Sequence, residues 1–187
     1  MPPLVCPHWV GYSLIVPWRR WYQNPATILG EHVREGMTVL EVGPGMGFFT
    51  LPMARMVGER GKVVAVDVQE SMLRTLEKRA RSAGIADRIV TRVCQPPSLG
   101  VKDLAASVDF ALLFAMVHEV PDVAALFGDV AAALTPGGRC LLSEPRGHVT
   151  AERFAETLAI ADAAGLAAIQ TPKIAWSRSA LLEKRVG

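Results

Sequence analysis

From Met37 onward, short apolar runs alternate with longer stretches in which apolar residues return every three or four positions. The short runs predict strands at 38–42, 62–66, 88–93, 108–114 and 139–143, with two last short strands at 166–171 and 180–185. The longer stretches predict helices between them. One follows the first strand at 48–57. Another, 71–83, carries Met72, Leu73, Leu76 and Ala80 on one face and ends at Gly84. A third, 122–134, is entered through Pro121 and closed by the turn Thr135-Pro136-Gly137-Gly138. A short helix is expected near 101–106, and Thr150 has the residue type to N-cap a helix reaching Ala164. Ahead of the alternation, Asn24-Pro25 reads as the N-cap and first residue of a helix that bears Ile28, Leu29 and Val33 and stops at Gly36.

Strands separated by helical stretches mark βαβ units, and so an α/β fold with a mainly parallel sheet and helices on both faces. In such sheets ligands collect at the carboxyl ends of the strands. That rule groups Glu41 to Gly47, Asp67, Cys94 with Gln95, Ala115 to Glu119, and Glu144 to His148 on one expected rim. The most informative stretch is TVLEVGPGMGFFT at 38–50, in which a strand runs through Gly43, Gly45 and Gly47 into an apolar segment. Glycines admit close backbone approach, and a helix N-terminus offers unpaired N–H groups, so the stretch predicts a site for a polar or anionic ligand. A dinucleotide fingerprint would place its third glycine at position 48, where Phe48 stands. Glu41 lies two residues ahead of the first glycine. Asp67, about twenty residues on, stands where an acid pairs with ribose hydroxyls.

Composition narrows the classes further. The 187 residues, 50% hydrophobic and 20% charged, are enough for one domain with a full core and too few for two comfortable ones. The net charge is +2, and no run of Lys or Arg would supply several phosphate contacts, so no nucleic-acid partner is expected. The longest apolar run, 110–117, falls short of the roughly 18–20 residues of a membrane span. No positive region precedes the apolar N-terminus, so no secretory signal is expected. Cys6, Cys94 and Cys140 show no paired spacing, which suits a reduced, cytoplasmic protein with no metal site. Nothing in the pattern reports an oligomeric state.

Glu-Val-Gly-Pro-Gly-Met-Gly at 41–47, followed by Val-Val-Ala-Val-Asp at 63–67, resembles motif I and the next acidic position of the class I S-adenosylmethionine-dependent methyltransferases. Leu-Thr-Pro-Gly-Gly-Arg at 134–139 is similar to that family's turn before strand five. Phe-Ala-Met-Val-His-Glu-Val-Pro-Asp at 114–122 resembles the type 11 and ubiquinone/menaquinone-biosynthesis-like branches. The resemblance covers residues 25–187 in the family's motif order. It implies a Rossmann-like, doubly wound, seven-stranded sheet, mostly parallel with an antiparallel C-terminal strand. It also implies S-adenosyl-L-methionine as cofactor and S-adenosyl-L-homocysteine as product. On this resemblance Glu41, Gly43, Pro44, Gly45 and Gly47 cradle the methionine part, and Asp67 with Val68 holds the ribose. Cys94 and Gln95 hold the adenine, Phe114 and Ala115 also bind the cofactor, and the residues after strand four line the transfer site. Gln95 departs from the pattern, since the family usually has an acid there; a Gln carbonyl accepts the same hydrogen bond without charge.

Methyl transfer from a sulfonium is an in-line displacement with an activated donor, so much of the catalysis is proximity and alignment. A base is needed only where the acceptor is protonated. His118 and Glu119 are the candidates for that role. The competing reading packs His118 on the cofactor and lets Glu119 cap the helix after Pro121. Glu144, Arg146 and His148, past the fifth strand, are candidates for binding the acceptor, or else an ordinary solvated loop. Residues 1–24 form an aromatic arm ahead of the domain at 25–187. It is read as a lid in which Trp9, Tyr12, Trp18 and Tyr22 line a pocket for a small apolar or aromatic acceptor. The link at 145–149 is too short for a covering insertion, which leaves the arm to exclude water. A membrane-surface contact through those aromatics with Arg19 and Arg20, or plain core packing, are the alternatives.

Three other functions compete. A nicotinamide-dependent oxidoreductase lacks its glycine at position 48 and a Tyr-x-x-x-Lys pair. A non-catalytic S-adenosylmethionine-binding subunit would leave the chemistry to a partner. A thiol-dependent metalloid methyltransferase would need Cys6, Cys94 and Cys140 to converge, yet Cys140 falls inside a strand.

Overall fold

The computed structural model describes residues 19–186. Trp9, Tyr12, Trp18 and Cys6 lie outside them. Seven strands, β1 (Thr38–Val42), β2 (Lys62–Asp67), β3 (Ile89–Val93), β4 (Val108–Phe114), β5 (Leu134–Pro145), β6 (Leu166–Gln170) and β7 (Ser177–Lys184), form one sheet in the order β3-β2-β1-β4-β5-β7-β6. The chain groups into two compact units, one ending at Cys94 and the other holding Gln95 onward. Among the described residues, no helix is long and apolar enough to cross a membrane.

In the unit that ends at Cys94, β1 pairs in parallel with β2, and β2 with β3. β1 and β2 are buried almost throughout, as strands covered on both faces must be, whereas β3 is half exposed. The helix Glu70–Ser82 packs on β2 and β3 through Met72, Leu73, Leu76 and Ala80, the face its apolar spacing predicts. Asn24 does cap Pro25–Leu29, its side chain accepting from Ala26 N–H at 3.0 Å. That helix ends at Leu29, and Val33 is buried from the irregular segment after a turn instead of from a helical face. The helix after β1 is also shorter than its pattern: it runs Thr50–Met56, and Phe48 and Phe49 belong to the preceding turn.

In the second unit β4 and β5 are parallel, while β7 runs antiparallel to both β5 and β6. Asp122, and not Pro121, starts the helix Val123–Ala133 by accepting from Ala125 N–H at 2.9 Å. Thr150 caps Ala151–Ala163 through Arg153 N–H at 3.2 Å. The Thr-Pro-Gly-Gly segment is absorbed into β5. Its pairing with β4 jumps from Val108↔Leu134 to Phe110↔Arg139, so the turn becomes a bulge in a strand that continues to Pro145.

Candidate functional site

The glycine turn is held from several directions within its unit. Gly43 N–H donates to Val66 C=O at 2.9 Å, and Gly45 N–H donates to Asp67 Oδ2 at 3.3 Å. The guanidinium of Arg79 donates to the Met46 carbonyl. Gly43, Gly45 and Gly47 all take positive φ (71°, 53° and 87°), which only glycine adopts without strain. The last two have different reasons to be glycine. A Cβ on Gly47 would stand 2.4 Å from Leu76 Cδ1, so this glycine serves close packing against the Glu70–Ser82 helix. A Cβ on Gly45 would meet nothing within 4 Å, so its bareness leaves open space beside the turn.

Two buried carboxyls belong to the strands that anchor the turn, Glu41 on β1 and Asp67 at the end of β2. Glu41 accepts the Thr50 hydroxyl at 2.6 Å and is 3% exposed. Burial pushes its carboxyl up to about 8, with the Asp67 charge adding to the effect and Thr50 opposing it. Asp67 is raised by burial too, against the backbone N–H groups of Gln69 and Gly45 that it accepts. Neither carboxyl has a cationic partner among the described residues. Val68, next along, is 41% exposed despite being apolar. Two acids satisfied only by neutral donors, an open glycine and an uncovered valine suit a ligand with a cationic end, hydroxyls and a flat ring. S-adenosylmethionine has all three.

The sequence expectation placed Cys94 and Gln95 beyond β3. Cys94 is buried, its N–H donating to Asp67 C=O at 3.0 Å, and burial raises its thiol. Gln95 is exposed, and its backbone carbonyl accepts Ser98 N–H at 3.2 Å. Cys140 lies in β5 with its thiol pushed up to about 12 by burial, so it offers no thiolate for metalloid chemistry. Tyr22 is half-buried.

The second unit brings Glu144, His118 and His148 together. Phe114 and Ser143 are partners in register, so the residues just past them meet at the ends of β4 and β5. Ala115 takes φ 57°, a left-handed conformation that costs a non-glycine residue on the order of 1–2 kcal/mol. The chain then turns so that three successive N–H groups, from Met116, Val117 and His118, donate to the Glu144 carboxylate at 3.0, 3.1 and 3.1 Å. His118 Nδ1 adds a fourth contact at 2.6 Å. A carboxylate can only accept, so Nδ1 carries the proton and Nε2 is left as the basic nitrogen. His148 Nδ1 lies 3.3 Å from that Nε2, and Glu119 Oε1 lies 3.9 Å from it. The hydrogen bond to Glu144 holds the His118 imidazole above its ordinary value, against the opposing effect of burial.

This geometry sorts the sequence candidates. Glu144 is not in a solvated loop: it is 1% exposed inside β5 and is occupied in orienting His118. Glu119 does not cap the next helix, since Asp122 does. Arg146 is tied to β7, its Nε donating to Ser177 C=O at 3.0 Å. Thr50, Arg79 and the three N–H groups were not anticipated. The Glu144–His118 pairing had a readable signal, because adjacent parallel strands bring the residues at and just past their carboxyl ends side by side.

A protein-family model described as a methyltransferase domain matches residues 33–177. The ubiquinone/menaquinone biosynthesis C-methyltransferase UbiE of Escherichia coli is 32% identical over 127 residues, covering 68% of this chain and 48% of that protein. The chain thus spans about half the length of the curated relatives it matches. Among solved structures, an S-adenosylmethionine-dependent methyltransferase from Aquifex aeolicus superposes with a TM-score of 0.86 at 23% identity, covering 96% of this chain and 99% of that one. A geranyl diphosphate C-methyltransferase from Streptomyces coelicolor, solved with S-adenosyl-L-homocysteine, has a TM-score of 0.67 at 18% identity over 86% of this chain and 76% of that one. Both structural likenesses speak for the fold, and the family match speaks for descent. The chain belongs to the class I S-adenosylmethionine-dependent methyltransferases.

Proposed function

We propose that the chain methylates a small molecule bearing an ionisable hydroxyl, with His118 as the base. The observation that supports this reading is the Glu144 carboxylate seated on three backbone N–H groups, which holds Nδ1 of His118 as donor and leaves Nε2, 3.3 Å from His148 Nδ1, as the nitrogen that takes a proton. The cofactor, when bound, supplies a methyl already activated as a sulfonium. Glu41 would face its cationic end and Asp67 its ribose, while Gly45 leaves room for it. What remains for the protein is to position the acceptor and remove its proton.

A phenolic ring fits this division of labour. Loss of the hydroxyl proton to His118 Nε2 makes both the oxygen and the ring carbons beside it nucleophilic, so one base serves O- or C-methylation. The ubiquinone/menaquinone relative, named a C-methyltransferase, is in keeping with a ring acceptor. We place the protein in the cytoplasm, in keeping with the free thiols of Cys94 and Cys140. The test is turnover of deuterated methyl donor on a panel of phenols by mass spectrometry. His118→Ala should lower kcat by roughly 10²–10⁴-fold, the usual contribution of a positioned base, while leaving cofactor affinity within about twofold. Unchanged kcat in that variant would reject the base assignment.

A further inference from the structure

A cavity of about 640 Å³ opens in the second unit, between the start of the Ala151–Ala163 helix, the segment at 171–174 and the first residues of β7. Its walls carry three cations, Arg146, Lys173 and Arg178, and no Asp or Glu. None of the three forms an ion pair with another described residue. Each arginine is fixed through Nε: Arg146 donates to Ser177 C=O and Arg178 to Val149 C=O, both at 3.0 Å. Guanidinium planes held this way lose little freedom when their remaining N–H groups meet a ligand, and their fork matches a carboxylate or phosphate. Two acids lie close by and both are engaged elsewhere: Glu144 accepts the Met116, Val117 and His118 N–H groups, and Glu152 is lowered more by its own backbone N–H and the Thr150 hydroxyl than by the Arg178 charge. Phe154 and Ile174, both nearly buried, supply apolar wall. The volume suits a small organic molecule and is far larger than a bare anion needs.

We infer that this cavity binds an oxyanion carried on an apolar body, and that the oxyanion is part of the methyl acceptor. Three cations on one wall with no ion-pair partner leave an excess of positive charge facing the cavity, and an anionic ligand gains from it. The link to the acceptor rests on the methyltransferase reading above and on chain connectivity: Arg146 lies in the five-residue span from Glu144 to His148. The sequence placed Arg146 among acceptor-binding candidates but had no means of joining it to Lys173 and Arg178, which come from across a helix and a strand.

Titration calorimetry on the full chain tests the inference with four probes: naphthalene-2-carboxylate, 2-naphthyl phosphate, neutral naphthalene-2-carboxamide and inorganic phosphate. We expect one or both of the naphthyl anions to bind at least tenfold more tightly than the carboxamide and than inorganic phosphate. The tighter of the two identifies the headgroup. Arg178→Gln and Lys173→Gln should each weaken that binding at least fivefold. Thr171→Glu, which sets a negative charge on an exposed wall residue, should abolish it without disturbing the arginine anchors. His118→Ala should leave it intact, so the site and the base are judged separately. Equal affinity for the carboxylate and the carboxamide, or full affinity in Thr171→Glu, overturns the anion site. Anion binding that is intact while every hydroxylated naphthoate and naphthyl phosphate escapes methylation, with neutral phenols methylated, overturns only the link to the acceptor.

Discussion

Glu144 decides what His118 can do. Its oxygens accept four donors, three of them backbone N–H groups that cannot turn away. Glutamine there would point an NH₂ group at donors, so Glu144→Gln should cost about 1–3 kcal/mol of stability and loosen the histidine. The kinetic signature is separate from that cost. A base works unprotonated, and the wild-type imidazole is raised chiefly by its bond to Glu144, so the acid limb of kcat/KM should fall above the ordinary 6.5. In Glu144→Gln the limb should move down, because burial alone lowers a histidine. Coincident limbs in a pH–rate series would refute the dyad. Glu41 offers a test by stability. Its folded value of about 8 exceeds the reference 4.5, so the folded state holds the proton more tightly. Its favourable contribution is complete below pH 4.5, declines between 4.5 and 8, and is absent above. Glu41→Gln cannot ionise and should therefore gain on the wild type by up to a few kcal/mol at pH 9 relative to pH 4, read from urea melts without cofactor.

At the scale of elements, the glycine turn has a packing end and an open end. Gly47→Ala drives a methyl into Leu76 and strains a φ of 87°, so we expect a loss of about 2–4 kcal/mol. Adding Leu76→Ala should remove the steric share and leave the strain, giving a favourable coupling on the order of 1 kcal/mol in a double-mutant cycle. Gly45→Ala meets open space, so only strain of about 1–2 kcal/mol applies, yet S-adenosyl-L-homocysteine affinity should fall at least tenfold. Calorimetry beside denaturant melts separates the two. If Gly45→Ala binds like wild type, the turn does not hold the cofactor. The sequence could not draw this distinction, since three alternating glycines look alike until Leu76 is seen against one of them. The same limit applied to the apolar run at 48–57. Phe48 and Phe49 are buried as a helix face would be, but they pack from a turn, their rings 4.9 Å apart and edge to face.

For the whole molecule, the alternation of strand and helix was legible because burial on both faces of a parallel sheet writes continuous apolar runs: β1 and β4 have the limits their runs predict. What was not legible depends on contacts between distant residues. β5 swallowed a turn because β4 pairs on both sides of it, and Glu144 left its expected loop because β5 pairs with β7 as far as Pro145. The cations of the cavity come from three separate segments. Family membership, in contrast, was legible from local order, Glu41 before the glycines and Phe48 after them, and it sets the last prediction. A ligand that binds only the folded chain stabilises it by RT ln(1 + [L]/Kd), about 2.7 kcal/mol at a hundredfold excess over Kd. For a chain of this length each kcal/mol moves the melting midpoint by roughly 2–4 °C. S-adenosylmethionine and S-adenosyl-L-homocysteine at that excess should therefore each raise it by about 5–11 °C, and NADH at equal concentration should leave it unchanged. Asp67→Ala should need at least tenfold more ligand for the same rise, because the ribose hydroxyls lose a buried charged acceptor. A rise with NADH and none with the sulfonium would return the glycine turn to the dinucleotide reading that Phe48 argued against.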